Sequence, residues 1–132
     1  MSEIIIYQSP DNRATVEVKF QQETVWLNQK QMADLFDKDS DTVGLHLKNI
    51  FADGELDESA TTEFFSVVQQ EGSRSVKRDI KFYNLDAIIS VGYRVNSKRG
   101  TQFRQWATQR LKDYLVQGCI IPAKVNTQFR SK

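Results

Sequence analysis

The sequence predicts an α+β fold in which short strands come before and after a pair of short helices. Three observations lead to this prediction. Residues 3–27 alternate apolar and polar side chains in short runs separated by turn formers, which is typical of an antiparallel meander. Residues 29–52 carry two apolar stripes at helical spacing, interrupted by an acidic break. Residues 62–83 return to strand patterns, and residues 85–117 to helical spacing.

Three short strands are predicted at the start of the chain. They are Glu3–Gln8, Ala14–Phe20 and Thr24–Leu27. Ser9–Asn12, which separates the first two, holds a proline and two polar residues that suit a turn, and Gln21–Glu23 is a second polar turn. In the middle strand apolar residues alternate with charged ones, so one of its faces is expected to be buried.

The next stretch predicts two helices joined by a tight turn. The first runs from Gln29 to Phe36, and Asn28 can cap it by accepting a hydrogen bond from a helix amide. Asp39 or Ser40 can cap the second, which runs to about residue 52. Its buried face is predicted to hold Val43, Leu47, Ile50 and Phe51. Ala33 is small enough for the helices to cross closely.

This spacing predicts a helix-turn-helix, whose second helix can lie in a DNA major groove. The spacing allows an ordinary αα-hairpin that packs a core equally well. An acidic connector, ADGELDES, follows and is expected to be exposed.

Two further strands are predicted after the connector, Thr62–Gln69 and Ser75–Tyr83, joined by the polar loop Gln70–Arg74. A hairpin after a helix-turn-helix is the arrangement of a winged helix. Its cations would suit a DNA backbone, although a solvated hairpin whose charges only maintain solubility fits equally well. These cations are Arg74, Lys77, Arg78 and Lys81. Arg78 falls on the apolar side of its strand, an exception to the pattern.

Two helices are predicted after the hairpin. Asn84 can cap the first, LDAIISVGYRV, and Ser97 or Thr101 begins a longer one that reaches about Gln117. The longer helix has a stripe of aromatic and aliphatic residues, which indicates a core or a dimer contact. We therefore expect one domain over residues 1–118 and a tail over residues 119–132.

Composition narrows the possible functions of the 132-residue chain. No apolar run approaches the roughly 20 residues that span a bilayer, and no secretory signal is recognisable. A single Cys and a single His exclude an internal disulfide and a Cys/His metal cluster. The lone Cys119 suits the reducing cytoplasm, where we expect the protein to be located. We expect it not to be an enzyme, because no nucleophile motif or phosphate-binding glycine loop is present. We also expect no metal, no cofactor, no contact with a membrane and no small-molecule substrate.

The charges are unevenly distributed along the chain. Residues 1–73 hold 5 Lys or Arg against 14 Asp or Glu, and residues 74–132 hold 13 against 3. The basic half is a natural footprint for nucleic acid. The alternative is that the two halves fold together and neutralise each other, within one molecule or between two.

Two blocks of the sequence are similar to a known family. They are Thr24–Leu56 and FYNLDAIISVGYRVNSKRGTQFRQWATQRLKDYL, Phe82–Leu115. Both resemble the RhuM family of virulence-associated and phage-linked bacterial proteins, over nearly all of the chain up to about Gly118. The resemblance implies a DNA-binding, regulatory protein linked to mobile elements. Family members are often longer, so the chain resembles an N-terminal module or a short version.

The resemblance also reveals a departure in the second helix. When Ala33 is placed at the small-residue position of the motif, Asp37 falls where such motifs usually have a turn glycine. Glycine is favoured there because the backbone adopts positive φ, which aspartate tolerates at some cost. The positions facing the groove are Asp39, Ser40, Asp41, Gly44 and Leu45. Many relatives read more like DRSTISRH here, and this chain has no Arg placed for the common guanine contact. A protein-interaction adaptor that keeps the motif only as a scaffold is therefore the alternative function.

Nine residues are the candidate DNA contacts, from the second helix, the hairpin and the last helix, and a homodimer is expected. The candidates are Ser40, Thr42, Lys48, Arg74, Lys77, Arg78, Lys98, Arg99 and Arg104.

Overall fold

The computed structural model describes residues 3–117, with side chains through residue 113. The predicted tail over residues 119–132 lies outside the described residues. The elements are β1 (Glu3–Gln8), β2 (Thr15–Gln21), β3 (Thr24–Asn28), α1 (Gln29–Phe36), α2 (Ser40–Ala52), α3 (Glu58–Thr61), β4 (Thr62–Glu71), β5 (Arg74–Asn84), α4 (Leu85–Arg94) and α5 (Lys98–Gln117). The predicted α+β class is confirmed, and the two predicted helix boundaries at α1 hold to the residue.

All five strands form one antiparallel sheet in the order β1-β2-β3-β5-β4. The predicted meander therefore continues into the predicted hairpin, because β5 pairs with β3 through Trp26–Asn84, Leu27–Tyr83 and Asn28–Phe82. The chain leaves the sheet after β3, makes the helix pair, and returns two strands away. This return places α1 and α2 beside the root of the hairpin.

The helices cover one face of this sheet, and the main core lies between them. The sheet contributes alternate buried residues, as period-two patterning requires. The fully buried side chains include Val18, Val25 and Leu27 from the sheet and Met32, Leu35, Val43, Ile50, Ile88, Val91 and Phe103 from the helices. Phe51 of α2 is only partly buried and stacks on Tyr83 of β5, with ring centroids 6.4 Å apart.

Both ends of α1 are set by local sequence. The Asn28 side chain accepts a hydrogen bond from the Gln31 amide at 2.8 Å, and the Gln31 side chain accepts one from the Asn28 amide at 2.9 Å. This capping box confirms the predicted cap. At the other end Asp37 adopts φ 57° and ψ 48°, the left-handed conformation expected where related motifs place glycine. Asp39 occupies the N-cap position of α2 without a capping side-chain hydrogen bond.

The hairpin is longer than predicted, and the predicted five-residue loop is wrong. Pairing continues to Glu71–Arg74, which leaves a two-residue turn at Gly72 and Ser73 with Gly72 at φ 65°. Since β3 ends opposite Phe82, residues 64–81 form a two-stranded arm that projects from the sheet. At about 3.4 Å per residue the arm is roughly 27 Å long.

The aromatic stripe of α5 packs inside the same chain. Tyr7 of β1 contacts Phe103 and Trp106, with ring centroids 5.1 and 5.0 Å apart. Helices α4 and α5 cross closely at two glycines: a Cβ built on Gly92 would lie 3.2 Å from the Gly100 Cα. Phe103 and Ala107 of the stripe are buried in the core, whereas Trp106 and Leu111 are partly buried against it. Over residues 3–117, no helix is long and apolar enough to cross a membrane.

Candidate nucleic-acid interface

Helix α2 has one face in the core and one face exposed. Val43, Leu47 and Ile50 are buried. The exposed face carries Asp41, Leu45, Lys48 and Asn49. Leu45 is 57% exposed although it is a large apolar residue. Among the described elements, none covers this face, so it is a surface that a ligand could contact.

The N-terminus of α2 is held by a residue that the sequence analysis missed. Gln29 Nε2 donates hydrogen bonds to the Ser40 carbonyl at 2.8 Å and to the Ser40 hydroxyl at 3.2 Å. Gly44 leaves room for this amide, because a Cβ at Gly44 would lie 2.7 Å from Gln29 Nε2. The bonds between Gln29 and Ser40 therefore hold α1 and α2 together where they cross. Thr42, another candidate DNA contact, is half-buried. The only feature of the sequence that could have indicated this contact is the position of Gln29, directly after the cap residue of α1.

The arm carries both paired and unpaired cations. Arg78 makes a bidentate pair with Glu71, at 2.7 Å from Nε and 2.8 Å from Nη2. The pair with Glu71 explains why Arg78 lies on the otherwise apolar side of β5, since both residues are on the same face of the hairpin. Hydrogen bonding from Arg78 holds the pKa of Glu71 below its usual range. Arg74 and Lys77 are exposed, and neither has a partner within residues 3–113.

A small aromatic cluster supports the root of the arm on the sheet face opposite the helices. Phe65 of β4 contacts Trp26 and Phe82, with ring centroids 5.6 and 5.4 Å apart. Lys19 Nζ lies 4.7 Å from the centre of the Phe65 ring, and the Trp26 indole donates to the Gln21 carbonyl at 2.9 Å. The cluster joins β2, β3, β4 and β5, so it anchors the arm to the body of the domain.

Arg99 is engaged within the chain. Its side chain is 15% exposed, and its Nη1 donates to the Leu35 carbonyl in the last turn of α1 at 3.1 Å. Its Nη2 lies 3.4 Å from Asp11. Hydrogen bonds from the Ser9 hydroxyl and the Arg13 amide, with a smaller contribution from Arg99, hold the pKa of Asp11 below its usual range. Lys98 and Arg104 on the same helix are exposed.

Ion pairs between the acidic and basic halves reduce the charge asymmetry of the sequence. They join Glu71 to Arg78, Glu58 to Lys81, Asp53 and Glu55 to Arg94, and Asp11 to Arg99. The acidic and basic halves of the chain therefore neutralise each other in part within one molecule. The candidate cations that have no partner in the described region are Lys48, Arg74, Lys77, Lys98 and Arg104.

His46 is half-buried on α2. The side chains described, up to residue 113, form no group of three or more His, Cys, Asp and Glu residues that could hold a metal ion.

Comparison with known proteins gives one finding. A family model described as "Virulence protein RhuM family" matches residues 60–130, which is more than half of the chain. The match includes the arm, α4 and α5 and begins after the helix pair. No curated protein and no solved structure matches the chain.

Proposed function

The chain belongs to the virulence protein RhuM family, and we propose that it is a DNA-binding module with a regulatory role. In this proposal α2 lies in the major groove of duplex DNA and the arm reaches the backbone. The observation that carries the proposal is an exposed face of α2 in a domain whose projecting arm holds Arg74 and Lys77, two cations unpaired among the residues described. The N-terminal residue of α2, Ser40, lines the same groove as Ile80 and Lys81 at the root of the arm.

The order of elements supports this proposal. A winged helix has a strand, two helices joined by a turn, and a hairpin whose second strand pairs with the first strand. Here β3, α1, α2, β4 and β5 follow in that order, and the sheet order β3-β5-β4 places β5 in the middle. The helix that usually begins such a domain has no counterpart before β3, where the meander stands instead.

The proposed contacts follow from side-chain chemistry. Lys48 on α2 and Arg74 and Lys77 on the arm would contact phosphates, which supply most of the affinity. Asn49 can pair with the edge of an adenine, and Leu45 can pack against a thymine methyl group. This face would therefore favour A·T pairs over G·C pairs.

Salt dependence tests the proposal directly. The three phosphate contacts predict a fall in affinity of roughly 40-fold between 50 and 200 mM salt, because bound counterions are released. The double variant Arg74→Ala and Lys77→Ala should lower the slope of log K against log salt by about 2. Arg78→Ala is the matched control, since this cation is already paired with Glu71. Binding that ignores salt, or that all three changes weaken equally, would contradict the proposal.

An adaptor that binds a protein is the second candidate. Leu45, Phe64 and Val68 are apolar residues with 57%, 63% and 66% of their surface exposed, and Asp41 is an acidic residue on the groove-facing side of α2. These features suit a protein surface better than a phosphate backbone. Selection from random duplexes at 50 mM salt separates the two functions: no enrichment by the folded protein would favour the adaptor.

A further inference from the structure

Two grooves separate α2 from the root of the arm, and Tyr83 of β5 lines both of them. The first groove is also lined by Lys48 of α2 and by Glu58 of α3. The second is also lined by Ser40, the first residue of α2, and by Lys81 of β5. Because Lys48 belongs to the exposed face of α2, the first groove adjoins the surface that we propose contacts DNA.

The hydroxyl of Tyr83 is a hydrogen-bond donor that no described residue uses. The residue is only 7% exposed, and its hydroxyl has no hydrogen-bond partner within residues 3–113. The Tyr7 hydroxyl, which also lacks a partner, is fully enclosed, whereas that of Tyr83 is accessible from the grooves. Burial raises the pKa of Tyr83, so the hydroxyl keeps its proton and can donate to an acceptor in the groove.

An anion already lies beside this hydroxyl, namely the carboxylate of Glu58, which forms an ion pair with Lys81. Lys81 Nζ is 5.8 Å from the centre of the Tyr83 ring. The charges of Lys81 and Glu58 respectively lower and raise the pKa of Tyr83, in addition to the larger effect of burial. The side chains of Lys81 and Glu58 are 31% and 50% exposed, so a ligand can reach the pair.

The position of Glu58 is set by the short helix α3. The Thr61 hydroxyl donates to the Asp57 carbonyl at 2.9 Å, and the Thr62 hydroxyl donates to the Glu58 carbonyl at 2.7 Å. These bonds join the acidic connector to the beginning of β4. Lys81 lies on the neighbouring strand, 23 residues further along the chain. The fold of the connector therefore brings this carboxylate to the root of the arm.

Lys81 continues a row of cations that begins further out on the arm. Alternate residues of a strand share a face, so Lys77, Lys81 and Tyr83 lie on one face of β5. Tyr83 packs in the core, so this face is the one that the helices cover at the root of the arm. Lys77 and Lys81 are about 14 Å apart at roughly 3.4 Å per residue. Arg78, in contrast, lies on the other face and is held by two bonds to Glu71.

We propose that Lys81 and the Tyr83 hydroxyl form a further phosphate subsite of the DNA interface, and that the Glu58 carboxylate occupies this subsite and competes with DNA. The proposal rests on the proposed function, which assigns phosphate contacts to Lys48 and Lys77. A carboxylate and a backbone phosphate both accept hydrogen bonds from ammonium and hydroxyl groups, so one can replace the other. Glu58 thereby limits the affinity of the domain for DNA.

Affinity for a random-sequence duplex, measured between 50 and 200 mM salt, tests the competition. Glu58→Gln removes the competing charge, so affinity at 50 mM salt should rise about 3- to 5-fold. The slope of log K against log salt should steepen by about 1, because Lys81 gains a phosphate contact. Glu63→Gln is the matched control. Glu63 is exposed on the opposite face of β4 and has no partner within residues 3–113, so its loss should change neither quantity.

Two second-site variants test the subsite itself in the Glu58→Gln background. Lys81→Gln should cancel both the gain in affinity and the steeper slope. Tyr83→Phe should weaken binding about 3- to 10-fold, because it removes one hydrogen bond to the phosphate. It should not lower the melting temperature, since the hydroxyl has no partner to lose in the described region. Circular dichroism melts check that each variant is folded.

The outcomes separate this proposal from the proposed function. If the unmodified chain and every variant fail to bind the duplex at 50 mM salt, the proposed function is wrong and this proposal is overturned with it. If the unmodified chain binds with a salt-dependent affinity, but Glu58→Gln binds no more tightly than Glu63→Gln, only the competition is overturned. A gain that survives Lys81→Gln, or an affinity that Tyr83→Phe leaves unchanged, would overturn the subsite.

Discussion

Replacing Arg99 with alanine should destabilise the domain, although the sequence analysis placed this residue among the DNA contacts. Its Nη1 donates to the Leu35 carbonyl at 3.1 Å, and its side chain is only 15% exposed. In Arg99→Ala this carbonyl at the end of α1 loses a charged donor in a partly buried setting. A hydrogen bond to a charged group contributes about 1.5–3 kcal/mol.

This loss converts into a measurable change of melting temperature. For the unfolding entropy typical of a 132-residue chain, a change of 1 kcal/mol in the free energy of unfolding shifts the melting temperature by roughly 3.5 °C. We therefore expect Arg99→Ala to melt about 5–10 °C lower than the unmodified protein. Arg99→Lys should lower the melting temperature less than Arg99→Ala does, because lysine retains a charged donor. Some loss should remain, because a single lysine nitrogen replaces the two nitrogens that contact Leu35 and Asp11.

Thermal unfolding followed by circular dichroism is the assay, and Arg104→Ala is its matched control. Arg104 lies on the same helix, exposed and without a partner in the described region. Its loss should leave the melting temperature unchanged, because the Arg104 side chain has no partner to lose among the described residues. An Arg99→Ala protein that melts within 2 °C of the unmodified one would show that the contact with Leu35 does not stabilise α1.

Three further predictions concern the caps, the helix crossing and an ion pair. Asn28→Ala removes the capping box of α1 and should lower the free energy of unfolding by about 1 kcal/mol in urea titrations. Gly92→Ala places a methyl group 3.3 Å from the Phe36 ring as well as against α5, and the overpacking of about 1–3 kcal/mol should outweigh its gain in helix propensity, as thermal melts will show. The pKa of Glu71, read from its side-chain NMR shift, should lie below the ordinary 4.5 and return to it in Arg78→Ala. Because the folded pKa is lowered, this pair stabilises the arm above pH 4.5 and is lost as the pH falls through the folded pKa.

Features that depend on neighbours in sequence were predictable. The cap at Asn28 needs only a side chain three residues from its donor, and the left-handed Asp37 needs only a residue that tolerates positive φ. The strands β1 to β3 follow from local alternation and turn residues. These interactions are complete within a few residues, so the sequence specifies them directly.

Features that depend on distant residues were not predictable in the same way. Pairing of β5 with β3 joins residues more than 50 positions apart and turns two predicted groups of strands into one sheet. The arm extends beyond its predicted loop because cross-strand pairs continue to Glu71 and Arg74. Nothing in the local pattern near Arg78 showed that its partner would be Glu71.

The sequence by itself determined the local elements, their caps and the division of charge along the chain. Tertiary structure decided which charges are available: it paired Arg78, Arg94 and Arg99 with carboxylates from the acidic half and left Lys48 and Lys77 unpaired in the described region. The reason is physical. Local hydrogen bonding is fixed by spacing along the chain, whereas an ion pair depends on distance in space, which only the packing of the sheet and helices sets.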